Sequence, residues 1–304
     1  MQRCIIINVT GLLAVAMAAL PLAHPRAQLH VTFQSIGDGR KGQADPRVDG
    51  NLFRPAGDTG HPALVFLHGC GGLIGQSGRI NAREADWARR MTGPGYVVLA
   101  VDSFTTRHQG QECAPDAPRH VTPSFDRVHD AYAALGYLRR QGFVDAARIG
   151  VIGWSRGGET VLSALNDAAL FGLGGERGFR AAVAFYPAGC DADAWSRPGS
   201  SRLDWATPAP LLVPFGGSDN WLSAGACQRF VTAADRQGAP VQIHVKPGAS
   251  HDFDWPNVSR RGLPAFTPVG SNAAPIVATE PAARADAFRR VSRFLATALQ
   301  HQRG

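Results

Sequence analysis

The sequence predicts a doubly wound α/β protein, with a mainly parallel sheet and helices on both faces. Three observations carry that expectation. From Ala63 to Leu299, solid apolar runs of strand length alternate with stretches whose apolar residues recur at helical spacing. The runs are solid rather than alternating, as strands buried on both faces require. At one junction the run Ile149 to Ile152 stops at Gly153, and a helical pattern with Val161, Leu162 and Leu165 begins just beyond Gly158. Strand, sharp turn and helix therefore follow one another within a few residues.

The chain begins differently. Met1, Gln2 and Arg3 precede an apolar stretch, Cys4 to Leu22, broken by Asn8 and Thr10, and Ala23 to Gln28 turns polar. A charged start, an apolar middle and a small-residue end make residues 1–27 a secretory signal, with cleavage near Ala23 or Ala27. No cysteine follows directly to take a lipid, and no later stretch is long enough to span a bilayer. An exported, soluble chain without stable membrane association is expected. Residues 28–304 contain no internal repeat or dividing linker and read as one domain.

Leu29 to Ser35 alternates apolar and polar residues, and Leu52 to Arg54 follows a Gly-rich, charged gap, so both are expected as solvent-facing strands at a sheet edge. Ala63 to Leu67 is the first buried strand and runs into His68-Gly69-Cys70-Gly71-Gly72. Asn81 to Met91 reads as a helix carrying Trp87. Tyr96 to Val101 is the next buried strand, and after Asp102-Ser103-Phe104 comes a polar loop, Thr105 to Pro123, of a length uncommon without a function. Ser124 to Gln141 is a helix with Ser124 as N-cap and Val128, Ala131, Leu135 and Leu138 on one face. Further strands follow at Ala181 to Tyr186, Leu211 to Phe215 and Val241 to Val245, with a helix, Trp221 to Gln237, between the last two. Asp191 to Pro208 and Asp252 to Pro281 lack periodicity and read as irregular. The last helix, Ala282 to Leu299, turns Phe288, Val291, Phe294 and Leu295 inward.

The formal charge of +7 rests on arginine, since Lys41 and Lys246 are the only lysines. The arginines are scattered singly or in pairs, with no basic run interleaved with aromatics, which argues against a nucleic-acid partner. Cys70, Cys113, Cys190 and Cys227 lie beyond the signal and would reach an oxidising compartment. None forms a C-x-x-C or stands near histidines at zinc-ligand spacing, so no metal or other cofactor is implied. Four cysteines allow three pairings. Cys70 and Cys113 follow neighbouring strands, as do Cys190 and Cys227, which favours those two bridges; free buried thiols are the alternative.

In a doubly wound sheet the site lies off the carboxyl ends of the strands. Ser155, between Gly153 and Gly157, is the only G-x-S-x-G serine in the chain and sits at the strand-to-helix turn, where a nucleophile is lifted above the sheet. It needs a base, and the base needs a partner that fixes its tautomer. His251, after the last strand, and Asp219, after the strand before it, fill those roles. Asp191, Asp204, Asp252 and Asp254 are the competing acids, the last two too near His251 along the chain to reach its far nitrogen easily. The oxyanion donors are assigned to the backbone N–H groups of Arg156, just after the serine, and Cys70, in the glycine-rich loop, with Gly71 second. His68 reads as structural. The Arg156 side chain could hold an acidic substrate or pack beneath its loop. Trp154, Trp195, Trp205 and Trp221 could line an acyl pocket or pack in the core.

Taken together, LVFLHGCGG at Leu64 to Gly72, YVVLAVDSF at Tyr96 to Phe104, GWSRGG at Gly153 to Gly158, FYPAGC at Phe185 to Cys190, GGSDNW at Gly216 to Trp221 and GASHDFD at Gly248 to Asp254 resemble the dienelactone hydrolase family. That resemblance implies the α/β-hydrolase fold, a triad of Ser155, Asp219 and His251, and Cys70 with Arg156 at the oxyanion. The founding enzymes carry cysteine where this chain has Ser155, so it looks more like an exported serine esterase acting on a small-molecule ester or lactone. A non-catalytic binding protein on the same scaffold and a peptidase of the same fold are the rival readings.

Overall fold

The computed structural model describes residues 26–36, 46–58, 60–166, 178–196 and 202–299. Eight strands of these residues form one sheet: β1 (Arg26–Gln34), β2 (Arg47–Arg54), β3 (His61–Leu67), β4 (Val97–Asp102), β5 (Val144–Trp154), β6 (Ala182–Phe185), β7 (Leu211–Gly216) and β8 (Val241–Lys246). Their order is β1-β2-β4-β3-β5-β6-β7-β8. The β1/β2 and β2/β4 pairs are antiparallel and the others parallel. Every residue of β4, β6 and β7 is buried, which is why these strands read as unbroken apolar runs.

Among the described residues the α-helices are α1 (Ala82–Thr92), α2 (Asp126–Arg139), α3 (Arg156–Leu165), α4 (Ala224–Arg236) and α5 (Pro281–Ala298). From β3 the chain steps one way across the sheet to β4, and from β5 it steps the other way to β6. Right-handed crossovers therefore place α1 and α3 on opposite faces. With α1 goes α5, whose Phe288 ring lies 3.9 Å from that of Trp87 and whose Arg284 meets Asp86. With α3 goes α2, where the Tyr132 hydroxyl donates to Ala164 O at 2.7 Å. The loops after β3 and β5 diverge at this switch point and leave a crevice above the strand ends. The architecture is the α/β-hydrolase fold.

Several local expectations need correction. β2 is not at an edge: it pairs with β1 and β4, and Val48, Leu52 and Phe53 are buried. Its first half was hidden in the gap because Gly50 weakens the pattern, yet a Cβ there would lie 2.9 Å from Leu99 Cδ1 and 3.2 Å from Ala100 O. Ser124 is not the N-cap of α2, which starts at Asp126. The turn is closed instead by Thr122, whose N–H and hydroxyl donate to Asp126 Oδ2 at 2.7 and 2.8 Å. α4 begins at Ala224 with Ser223 as its cap, since residues before it form the loop that carries Asp219. The stretch after Asp252 contains a short pair, β9 (Arg261–Gly262) with β10 (Ile276–Val277). Residues 1–25 of the expected signal lie outside the described residues.

Candidate active site

Ser155 is built by its neighbours' lack of side chains. It holds φ 53°, ψ −113°, a conformation an L-residue keeps only when the surroundings enforce it. Its N–H donates to Phe185 O at 3.0 Å, and its carbonyl accepts from Glu159 N at 3.0 Å and Ala188 N at 3.1 Å. A Cβ on Gly153 would stand 2.1 Å from Gly157 O, and one on Gly157 would stand 2.1 Å from Leu67 O and 2.5 Å from His68 O. These clashes are with backbone, so no rotamer change relieves them. The turn and the end of β3 thus touch main chain to main chain.

Asp219 and His251 meet in a similarly tight junction. A Cβ on Gly216 would lie 2.5 Å from Ala249 O, and Ser218 N donates to that same oxygen at 2.8 Å. This brings His251 Nδ1 to 2.7 Å from Asp219 Oδ2, with both side chains buried. The other oxygen, Oδ1, accepts the N–H groups of Trp221 and Leu222, each at 2.9 Å. An ionised carboxylate only accepts, so Nδ1 carries the proton and Nε2 is left basic. Burial alone would lower the imidazole's pKa; the charge and hydrogen bond of Asp219 outweigh it and hold the pKa above the ordinary value. His68 differs. Burial and then Arg127 push it well below the usual range, and Nδ1 contacts Gly69 O at 2.7 Å, so it is a neutral group bracing its own loop.

Serine and histidine share neighbours. Tyr186, one residue past the carbonyl that holds Ser155, packs its ring 4.5 Å from that of His251. Arg83 reaches both sides: Nη2 lies 3.4 Å from where a Gly69 Cβ would be, that point lies 3.8 Å from Ser155 Cβ, and Nη1 meets Asp252 Oδ1 at 2.7 Å. Asp252 and Asp254 are engaged away from the imidazole. Asp254 is fully buried and accepts from Trp87 Nε1 at 2.7 Å, Trp154 Nε1 at 2.8 Å and the Tyr186 hydroxyl.

In the glycine-rich loop, Gly72 N donates to Gly69 O at 3.3 Å, closing a turn with Cys70 and Gly71 at its centre. Arg156 opens α3, whose first-turn N–H groups have no partner within the helix. Both bridges are formed: the sulfurs of Cys70 and Cys113 are 2.01 Å apart and those of Cys190 and Cys227 2.04 Å. The Arg156 side chain packs on carboxylates, 3.7 Å from Glu112 and 3.5 Å from Glu159. Of the four tryptophans, Trp154 and Trp205 are core, and Trp195 bonds to Gly189 O. Trp221 is half-buried, with its ring 5.0 Å from that of His251 and stacked on Phe266.

Sequence reasoning missed Tyr186, Arg83 and Glu112. Tyr186 ends an apolar run, and Arg83 lies four residues before Trp87 and so on the same helix face, which are signals available in the sequence. Glu112 offered only its place beside Cys113.

Residues 48–299 match the model of the dienelactone hydrolase family. A Bradyrhizobium protein named as a probable 2-oxo-3-(5-oxofuran-2-ylidene)propanoate lactonase is 23% identical over 207 residues, covering 66% of this chain and 77% of that one. Among solved structures, esterase 2 of Thermogutta terrifontis, phosphorylated by paraoxon, superposes with TM-score 0.58 at 17% identity over 89% of this chain and 94% of its own. A dienelactone hydrolase-like promiscuous phosphotriesterase from metagenomic libraries gives TM-score 0.58 at 20% identity over 90% and 100%. At these identities the structural likeness speaks for the fold, and the family match speaks for membership. With its sheet, its tight serine turn and the match across most of its length, this chain belongs to the dienelactone hydrolase family of hydrolases.

Proposed function

We propose that this chain is an exported serine hydrolase that cleaves a carboxylic ester or lactone through an acyl-enzyme on Ser155. The carrying observation is the buried His251–Asp219 contact of 2.7 Å, in a chain whose turn serine is held at φ 53° and whose Tyr186 packs on the imidazole next to the residue that anchors that serine. His251 Nε2 takes the Ser155 proton as Oγ attacks the carbonyl carbon, and the carbonyl oxygen becomes an anion received by the N–H groups of Cys70 and Arg156. Collapse expels the alkoxide, which leaves with the proton from His251. Water, activated by the same imidazole, then releases the acid; from a lactone, the product is a hydroxy acid. Asp219 keeps the proton on Nδ1 throughout and stabilises the imidazolium. The lactonase and esterase names of the relatives support this substrate class. Two disulfides and the charged-apolar-small start support export. Cleavage near Ala23 would leave β1 whole, since its pairing starts at Arg26 opposite Arg54.

The test is fluorophosphonate labelling of the mature chain beside Ser155→Ala, with hydrolysis of short p-nitrophenyl esters in parallel. Labelling and turnover are expected to vanish together in the variant. A wild-type chain that neither labels nor turns over, or a variant that does both, removes the reading.

A further inference from the structure

We propose that Glu112 and Cys113 form a strap that sets the spacing between the two backbone oxyanion donors, with Glu112 as a positioning residue. This rests on the serine-hydrolase reading above. The assigned donors lie on separate pieces of chain, Cys70 in the turn after β3 and Arg156 at the start of α3. Both are main-chain groups, so no rotamer of their own can aim them; only the path of the chain can.

The strap holds both pieces. At one end Cys113 is bonded to Cys70 through sulfur, and Glu112 N–H donates to Cys70 O at 2.8 Å. At the other end the Glu112 side chain, fully buried, places Oε2 3.7 Å from Arg156 Nε. Arg127, also fully buried, adds a brace by donating from Nη2 to His68 O. Cys70 is thereby fixed to the strap, and the strap is docked on the residue that carries the second donor.

Stability alone accounts poorly for this carboxylate. Neither of its oxygens accepts a hydrogen bond from a described residue, and a buried charge without hydrogen bonds weakens a fold relative to an apolar side chain. Burial accordingly pushes the Glu112 carboxyl up from the ordinary range, with Arg156 and Arg127 opposing. What a carboxylate supplies here and an apolar side chain cannot is a hold on Arg156.

The experiment uses butylboronic acid, to which Ser155 Oγ adds at boron while its proton passes to His251, leaving a boronate hydroxyl where the oxyanion forms. Binding and p-nitrophenyl acetate hydrolysis are measured for the wild type, Glu112→Ala, Glu112→Asp and the double variant Cys70→Ser/Cys113→Ser. Losing one oxyanion donor outright costs about a hundredfold to a thousandfold, so displacing one is expected to lower kcat/KM and raise the boronate Ki together by about tenfold to a hundredfold. Glu112→Asp, with the charge drawn back, is expected between wild type and Glu112→Ala. Glu112→Gln takes the place of Glu112→Ala if the alanine variant does not fold. A role confined to packing would lower Tm and leave the Ki of folded protein unchanged. Variants that bind boronate and turn over within about twofold of wild type overturn the strap alone. A wild type that binds no boronate overturns the serine-hydrolase reading and the strap with it.

Discussion

Ser155 stands between two largely buried polar regions that are held by different means. On the imidazole side, Arg83, Glu84, Tyr186, Asp252 and Asp254 are knit by hydrogen bonds, with Arg83 meeting Asp252 and Glu84 at 2.7 and 2.8 Å and Asp254 taking three donors. On the oxyanion side, Arg156 meets Glu112 and Glu159 only at looser ion-pair distances of 3.7 and 3.5 Å, several polar atoms of Glu112, Arg127, Arg156 and Glu159 lack hydrogen bonds, and a disulfide joins the chain segments. The difference follows from what each region must hold. An imidazole is a side chain and can be aimed by other side chains. A backbone N–H can be aimed only by restraining the chain that bears it, which covalent and long-range contacts do.

The largest effect is expected where aim and charge coincide, at the imidazole's own partner. Asp219→Asn should lower kcat/KM by about 10⁴-fold, because an amide can donate to Nδ1 and fix the wrong tautomer. The pH profile gives the sharper reading. In the wild type the base works only when neutral, so kcat/KM falls as pH drops through an imidazole pKa that Asp219 holds above the ordinary value against burial. Removing that charge lets the ring stay neutral to lower pH, and the acid limb of the residual activity should move down. An acid limb that stays in place would mean that something other than Asp219 sets the imidazole's charge.

One step back from the imidazole, Asp254→Ala tests whether the hydrogen-bonded region is structural. Its removal orphans two indole N–H groups in the core and leaves the Tyr186 hydroxyl only its longer contacts with Asp252 and Arg83, at 3.4 and 3.3 Å. The expected cost is about 3–5 kcal/mol of stability, read from the urea midpoint at constant slope. A loss below about 1 kcal/mol would show that these donors find other partners and that the region is less tightly knit than its distances suggest.

How much of this was legible in sequence depended on which atoms carry the information. The buried strands and the serine turn were readable because solid apolar runs and Gly153/Gly157 are side-chain statements about backbone burial and approach. The pairing of Cys70 with Cys113 followed from strand order. β2 was misread because its interior position is announced by Gly50, whose only signal is a missing side chain. Thr122 took the capping role expected of Ser124 because a reciprocal contact with Asp126 lies four residues away, where a simple cap pattern does not look. Glu112 was invisible for a deeper reason: its meaning lies in contacts with Cys70 and Arg156, forty-odd residues off in either direction.

The two disulfides offer the finest test of the contrast. They close loops of nearly equal sequence separation, 43 and 37 residues, so chain entropy assigns each a similar stabilisation of about 4 kcal/mol and a difference of about 0.1 kcal/mol. Cys70→Ser/Cys113→Ser and Cys190→Ser/Cys227→Ser should therefore melt alike. Their activities should not match. The first pair carries a proposed donor and the second carries none, so loss of the second bridge should leave kcat/KM within about threefold of wild type while loss of the first lowers it by about tenfold or more. Equal activity losses would mean that both bridges act only through the general rigidity of the loops around Ser155. Unequal melting with equal activity would move the cost of the first bridge from aim to stability, and the oxyanion side would then be held as the imidazole side is.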